Sequence, residues 1–184
     1  MSEIRRFRAT DMFLFNNINL DILTETYDIS FYLSYLAQWP DLFLVQELSL
    51  FGDKESKLMG YVMGKVEGVG KQWHGHVTAL SVALEYRRLG IARNLMKLLE
   101  DVSENMHNGY FMDLFVRLSN LAAINMYKSF GYSVFRRVIK YYNKSKGNDE
   151  DALDMRKPLR RDKLKESIRE DGDKILVLPE DIYF

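Results

Sequence analysis

The sequence predicts an α/β fold with a mixed, mostly antiparallel seven-stranded sheet and about four helices, and three features predict it. Residues 42–48 and 58–66 are apolar runs joined by the polar stretch Gly52-Asp53-Lys54-Glu55-Ser56, the pattern of a hairpin. Residues 73–82 form a strand-like run that passes through an arginine-rich turn into an amphipathic helix from about Gly90 to Met106. Residues 110–116 read as a buried strand, followed by a helix over 120–130 that Gly131 stops. Strand-helix-strand units after an antiparallel opening mark a mixed sheet.

Taken in order, Ile4 to Phe7 reads as a first strand, and Thr10 or Asp11 can cap a helix running to about Asn19. Met12, Phe13, Phe15 and Ile18 cover more than one face of that helix, which suits core on one side and a partner on the other. Residues 20–29 carry too many polar breaks for a helix. Phe31, Tyr32, Tyr35, Leu36 and Trp39 then form a second amphipathic segment that ends at Pro40. In the 90–106 helix, Leu95, Met96, Leu98, Leu99 and Val102 fall at core spacing. Residues 132–142 give a sixth strand and 152–155 a seventh. From Asn143 onward charges alternate densely, and 163–174 reads as a solvated helix or as disorder. Ile175-Leu176-Val177-Leu178-Pro179 is a short apolar strand, docked on its own domain or on a partner. These features divide the chain into a domain over 1–160 and a charged C-terminal tail over 161–184.

At 184 residues and 47% apolar content the chain can bury one sizeable core. Its 26 basic and 26 acidic residues cancel, so nucleic-acid binding through a global positive field is not expected, and any anion site must be local. The chain has no cysteine, which excludes a cysteine nucleophile and zinc-thiolate sites within it; no metal is expected. Met1 to Arg8 shows no signal-peptide pattern and no run approaches a membrane span, so the expected location is the cytoplasm, away from membranes. Gly64, Gly68 and Gly70-Lys71 lack the spacing of a nucleotide-binding loop.

The junction between the fourth strand, Val77-Thr78-Ala79-Leu80-Ser81-Val82, and the following helix can hold a diphosphate. Helix-start amides converge there, Gly90 permits close approach, and Arg87, Arg88 and Arg93 add full charges. On charge alone the turn reads equally well as a solvated cap. Its spacing, Arg87-x-x-Gly90-x-Ala92 after an apolar strand, resembles the acetyl-coenzyme A pyrophosphate loop of the GNAT acetyltransferases. His74-Gly75-His76-Val77-Thr78-Ala79-Leu80-Ser81-Val82, Asn16-Asn17-Ile18-Asn19-Leu20-Asp21, Leu23-Thr24-Glu25-Thr26-Tyr27 and Tyr32-Leu33-x-Tyr35-Leu36-Ala37-x-Trp39-Pro40 are similar to the NatB-type protein N-terminal acetyltransferases. So are Asn120-x4-Asn125-Met126-Tyr127-x2-Phe130-Gly131-Tyr132 and Asp154-Met155-Arg156-Lys157. The likeness covers roughly residues 1–160.

That resemblance implies the GNAT fold, whose fourth and fifth strands splay to admit the coenzyme. It also implies direct acetyl transfer from acetyl-coenzyme A to the α-amino group of proteins beginning Met-Asp, Met-Glu, Met-Asn or Met-Gln. The coenzyme residues it implies are Leu80, Ser81 and Val82, whose backbone would meet the developing oxyanion, the turn Arg87, Arg88, Leu89, Gly90, Ile91, Ala92 and Arg93, and Asn120 and Tyr127. Tyr127 would serve the leaving thiolate as general acid. Glu25 or His74 would relay a water to the amine, and an α-amine with a reference pKa of about 8 needs modest help. Glu25, Tyr27, His74, Thr78, Tyr141 and Tyr142 are the implied peptide-binding residues, with His74, Thr78 and Tyr27 reading the second residue; His76 and His107 are left without a role. The implied partners are a large helical-repeat, TPR-like auxiliary subunit, nascent polypeptide N-termini, and the ribosome through that subunit. Rival readings are a GNAT enzyme acting on a lysine side chain or small amine, and a coenzyme-binding scaffold without turnover.

Overall fold

A computed structural model of the chain describes residues 2–20, 24–48, 57–142 and 149–182. The expected turn at 52–56 lies outside the described residues, as do 21–23 and 143–148. The chain forms two compact units, Met1–Lys65 with Val77–Val102 and Val66–His76 with Ser103–Phe184.

In the first unit, strands β1 (Ser2–Arg6), β2 (Phe43–Leu48) and β3 (Lys57–Glu67, which runs on into the second unit) pair antiparallel, with Ile4 opposite Gln46 and Val45 opposite Tyr61. Its core is aromatic: Phe7 stacks on Phe43 at 4.0 Å, and Phe15 meets Tyr32 edge-on at 5.2 Å. Helix α1 (Ile29–Gln38) starts at Asp28, whose Oδ1 accepts from Phe31 N at 2.8 Å, and buries Tyr32 and Tyr35 at i, i+3 spacing.

The helix expected over 10–19 is instead two 3-10 turns, Ala9–Phe13 and Asn16–Leu20. Two local constraints favour the tighter winding. Asp11 is buried, paired with Arg5 at 2.7 Å and accepting from Arg8 N at 2.7 Å, which closes the first turn three residues back. Ile18 N bonds Phe15 O at 3.0 Å, an i to i+3 closure that stacks the two buried side chains over one another. Phe13, Leu14 and Leu20 are left exposed, as are Ile29 and Leu33 of α1.

Strand β4 (His74–Val82) crosses from the second unit into the first, and α2 (Ile91–Asn105) follows, burying Ile91, Leu95, Met96 and Leu99. The second unit contains β5 (Phe111–Arg117), α3 (Leu121–Ser129), β6 (Ser133–Tyr142) and β7 (Glu150–Pro158). β7 pairs antiparallel with both β5 and β6, with Asp113 opposite Arg156 and Ser133 opposite Arg156. It is longer than its apolar run suggests because its charges are satisfied internally. Asp154 and Arg156 are buried, Arg136 Nε donates to Asp154 at 2.8 Å, and the Arg156 guanidinium lies 3.7 Å from the Phe135 ring centre.

The described residues contain eight strands rather than seven, and three α-helices plus 3-10 turns rather than about four helices. The added strand is β8 (Leu176–Val177), which pairs parallel with β6, so the apolar tail segment docks on its own chain. Residues 163–174 form a series of turns ending in a 3-10 turn at Gly172–Lys174, not the expected solvated helix or disorder. Asp162 accepts from Glu166 N and Ser167 N, both at 2.9 Å, winding the segment into turns, and Arg169 packs 3.5 Å over Phe135. No helix among the described residues is long and apolar enough to cross a membrane.

Candidate active site

The first unit holds the anion-binding turn. After β4, residues Leu84–Tyr86 make a 3-10 turn, and the backbone enters the left-handed region twice, at Arg88 (φ 67°) and Gly90 (φ 83°), before α2 begins. Gly90 takes that conformation without steric cost, whereas Arg88 holds it under strain. Asn94 N donates to Gly90 O at 3.1 Å, closing the first helical turn, so the amides ahead of it have their acceptors outside the helix. Arg87, Arg88, Leu89, Gly90 and Arg93 are exposed, Ala92 is half-buried and Ile91 is buried. Arg87 Nε donates to Val82 O at 3.1 Å, tying the turn to the end of β4. Outward amides, exposed cations and a helix start together suit a diphosphate.

On β4 itself, Ser81 is buried and its hydroxyl is committed. It donates to Ile18 O at 3.1 Å, so the 3.1 Å contact with Thr24 Oγ1 has threonine as donor. Ser81 thereby pins the segment before α1 to the strand, and its side chain is not available to the coenzyme. Leu80 and Val82 are half-buried. Thr78 Oγ1 donates to the Tyr35 hydroxyl at 3.0 Å, and the Tyr27 hydroxyl reaches Thr78 O at 3.5 Å. Tyr27 stacks on Phe31 at 4.3 Å, and Glu25 is exposed two residues earlier. Tyr27 and Thr78 are thus brought together, with Tyr35 as a connecting member that the sequence did not single out for the site.

In the second unit, Asn120 caps α3 through Oδ1, which accepts from Ala123 N at 3.1 Å; its amide NH2 is the donor a ligand would use. Tyr127 is buried between Phe130 and Tyr132, both edge-on, and burial pushes its hydroxyl above the ordinary tyrosine value. It therefore stays protonated, a persistent hydrogen-bond donor. Tyr141 is exposed and stacks on Phe115 at 4.6 Å. Tyr142 instead donates its hydroxyl to Phe115 O at 3.2 Å, beneath the Arg117 guanidinium at 4.0 Å. Its hydroxyl is spent on β5, and its ring supports Tyr141 edge-on at 5.0 Å.

The same unit contains a buried imidazole-carboxylate array that the sequence reading missed. His74 has no exposed surface: its ring stacks on Phe111 at 4.6 Å and its Nδ1 donates to Gln72 O at 2.6 Å. The implied roles of His74, relaying a water to the amine or reading the second residue, thus fall on a side chain with no surface of its own. Asp113, also wholly buried, has Oδ1 at 2.8 Å from His76 Nδ1 and 3.3 Å from His74 Nε2. Burial alone would push the Asp113 carboxyl up, but the two imidazoles outweigh it and hold it far below the usual carboxylate range. His76, 12% exposed, is the histidine a ligand can reach. Two signals could have found the array: an aspartate inside the apolar run Phe111-Met112-Asp113-Leu114-Phe115, and two histidines on one face of a strand. Glu67, His74 and His76 also bring possible metal-ligand atoms within 4.8 Å of one another. Both histidines already hold partners through Nδ1, His74 with Gln72 O at 2.6 Å and His76 with Asp113 at 2.8 Å.

Residues 14–132 match the model of the acetyltransferase (GNAT) family, which takes in β4, the arginine turn, Asn120 and Tyr127. Over its whole length the chain is 58% identical to all of the N-terminal acetyltransferase B complex catalytic subunit of Schizosaccharomyces pombe. The chain belongs to the GNAT family, among the NatB catalytic subunits. It is also 60% identical to N-alpha-acetyltransferase 20 of Dictyostelium discoideum, with 91% of this chain and 92% of that one covered. The solved Naa20 of Chaetomium thermophilum, in complex with a bisubstrate analogue, superposes with a TM-score of 0.87 at 44% identity and 97% coverage of both chains. A NatB complex bound to a bisubstrate inhibitor gives 0.83 at 40% identity and 99% coverage of both. The GNAT family model ends before Tyr141 and Tyr142, so those two residues rest on the NatB likeness and on their own geometry.

Proposed function

We propose that this chain is the catalytic subunit of a NatB-type N-terminal acetyltransferase, moving acetyl directly from acetyl-coenzyme A to the α-amino group of proteins beginning Met-Asp, Met-Glu, Met-Asn or Met-Gln. The observation that carries the proposal is the end-to-end 58% identity with the fission yeast NatB catalytic subunit. The match to a Naa20 structure holding a bisubstrate analogue supports it.

Each residue has a task that its geometry supports. Arg87, Arg88 and Arg93, with the amides at Leu89 to Ala92, hold the pyrophosphate of the coenzyme, and the Asn120 amide donates to its arm. Backbone amides of Leu80 to Val82 meet the oxyanion that develops as the amine attacks. Tyr127, held protonated by burial, donates a hydrogen bond to the departing sulfur; its raised value makes stabilisation of the thiolate a larger part of its role than full proton transfer. Glu25 relays the amine proton to solvent through water. Tyr27 and Tyr141 are each peptide-binding residues in this reading, and the Tyr142 ring supports Tyr141 edge-on. His76 on β4 supplies an N–H donor for an acidic or amide side chain at the second position, whereas the Thr78 hydroxyl hydrogen is already given to Tyr35.

The partners follow from the same reading. A helical-repeat auxiliary subunit covers the exposed Phe13, Leu14, Leu20, Ile29 and Leu33, and brings the enzyme to nascent chains at the cytoplasmic ribosome. The deciding experiment is acetyl transfer to peptides differing only at their start, Met-Asp against Met-Leu and Ser-Asp, plus an N-terminally blocked peptide with a free lysine. Selective use of Met-Asp is expected, and stronger with the auxiliary subunit present. Turnover of the blocked lysine peptide alone would favour the side-chain reading, and coenzyme binding without any turnover would favour the scaffold.

A further inference from the structure

Asp113 and His74 are wholly buried, lie 3.3 Å apart and touch no substrate in the mechanism above. We infer that Asp113 is a positioning residue: it fixes the ring hydrogen of His76 on Nδ1 and so makes Nε2 the nitrogen offered to the second residue of the incoming peptide. The inference rests on the function proposed above, in which His76 reads that residue.

A carboxylate only accepts, so the 2.8 Å contact between Asp113 Oδ1 and His76 Nδ1 places a hydrogen on Nδ1. Sealed from water, Asp113 meets no solvent donor that could compete for this bond. His74 explains how a buried carboxylate can remain charged there. Its Nδ1 faces the Gln72 carbonyl at 2.6 Å, which also only accepts, so Nδ1 carries a hydrogen. A neutral His74 would then turn the lone pair of Nε2 toward Asp113 at 3.3 Å, whereas the imidazolium turns an N–H toward it. His74 supplies the charge, Asp113 sets the tautomer, and His76 is left with Nε2 for a ligand.

The backbone between the two histidines is fixed as well. A Cβ on Gly75 would stand 2.5 Å from Ser103 Oγ and 2.6 Å from Met112 Sδ, so glycine lets β4 lie against both. His76 is therefore held through its backbone neighbour and through its ring, with Phe115 tilted against the ring at 5.8 Å. Such double restraint suits a group that must present one nitrogen in one direction. Asn and Gln oxygens and Asp and Glu carboxylates can each accept from an Nε2–H, which matches the substrate class proposed for this strand.

The test pairs a spectrum with kinetics on the full-length chain. Long-range proton–nitrogen NMR of the 15N-labelled protein, with His76 assigned by comparison with His76→Gln, is expected to show Nδ1 of His76 protonated. Asp113→Asn keeps the shape and removes the charge. It is expected to raise KM for a Met-Asp peptide roughly tenfold, as the loss of a charge-assisted contact does, with KM for acetyl-coenzyme A unmoved. The double variant should be no worse than His76→Gln alone. An Nδ1 of His76 without its proton would overturn the inference, as would a normal Met-Asp KM in Asp113→Asn when His76→Gln raises it. If His76→Gln itself leaves the Met-Asp KM unchanged, the reading of His76 fails; the nitrogen spectrum still decides what Asp113 does.

Discussion

Nε2 of His74 lies 3.3 Å from Oδ1 of Asp113, and both side chains are wholly buried. The pair makes stability depend on pH in a defined direction. Burial disfavours charge on His74, but the Asp113 carboxylate outweighs it and raises the ring above its ordinary value of 6.5. A raised histidine contributes stability below its unfolded value and loses it as pH rises through the folded one. His74→Gln should therefore lower Tm more at about pH 6 than at about pH 9. Calorimetry of both proteins at the two pH values checks this; an equal deficit would mean that His74 is neutral.

Arg5 anchors the start of the chain. Its guanidinium bonds Asp11 at 2.7 Å and Glu47 at 2.5 Å, and both carboxylates are buried. Arg5→Met leaves two acids without their cation, a change that costs on the order of 3 kcal/mol for a buried pair. Urea unfolding should show it, and Asp11→Asn should partly restore stability when combined with Arg5→Met. No rescue would place the loss in packing of the arginine stem.

Tyr127→Phe removes the buried donor while keeping the ring contacts with Phe130 and Tyr132. We expect kcat for a Met-Asp peptide to fall about 10²-fold, the low end for a positioned proton donor, with little change in KM for acetyl-coenzyme A. An unchanged kcat would remove Tyr127 from the chemistry.

The strained turn is testable at two positions. Gly90→Ala puts a Cβ on a residue at φ 83°, and Arg88→Ala removes an exposed charge from one at φ 67°. Each should raise KM for acetyl-coenzyme A about tenfold, and added salt should shrink the Arg88 effect because screening already weakens an exposed cation. Variants whose coenzyme KM matches the parent would show that the turn is a solvated cap.

Much of this was legible in the sequence for physical reasons. The helix stop at Gly131 and the arginine turn before α2 are local, because a positive φ and a helix start are properties of a few consecutive residues. So the shape of the turn could be read from Arg87-x-x-Gly90-x-Ala92, while its reading as a phosphate site needed the wider family likeness. The first helix was misread because apolar spacing in 10–19 fits an α-helix as well as two 3-10 turns. What separates them is an ion pair from Asp11 to Arg5, six residues back.

The histidines mark the boundary most clearly. Sequence periodicity put His74 and His76 on one face of β4, and it could go no further, since both carry the same ring two residues apart. Which ring is buried depends on Phe111 and Asp113, more than thirty residues later in the chain, and on the close approach that Gly75 allows to Ser103 and Met112. The sequence by itself determined the family, through its likeness to known relatives, and the strand-turn-helix, because that unit depends on local pattern and spacing. Tertiary structure decided which imidazole is reachable, which hydroxyls are already spent, and where the tail docks, because burial and hydrogen-bond partners are set by contacts between distant segments.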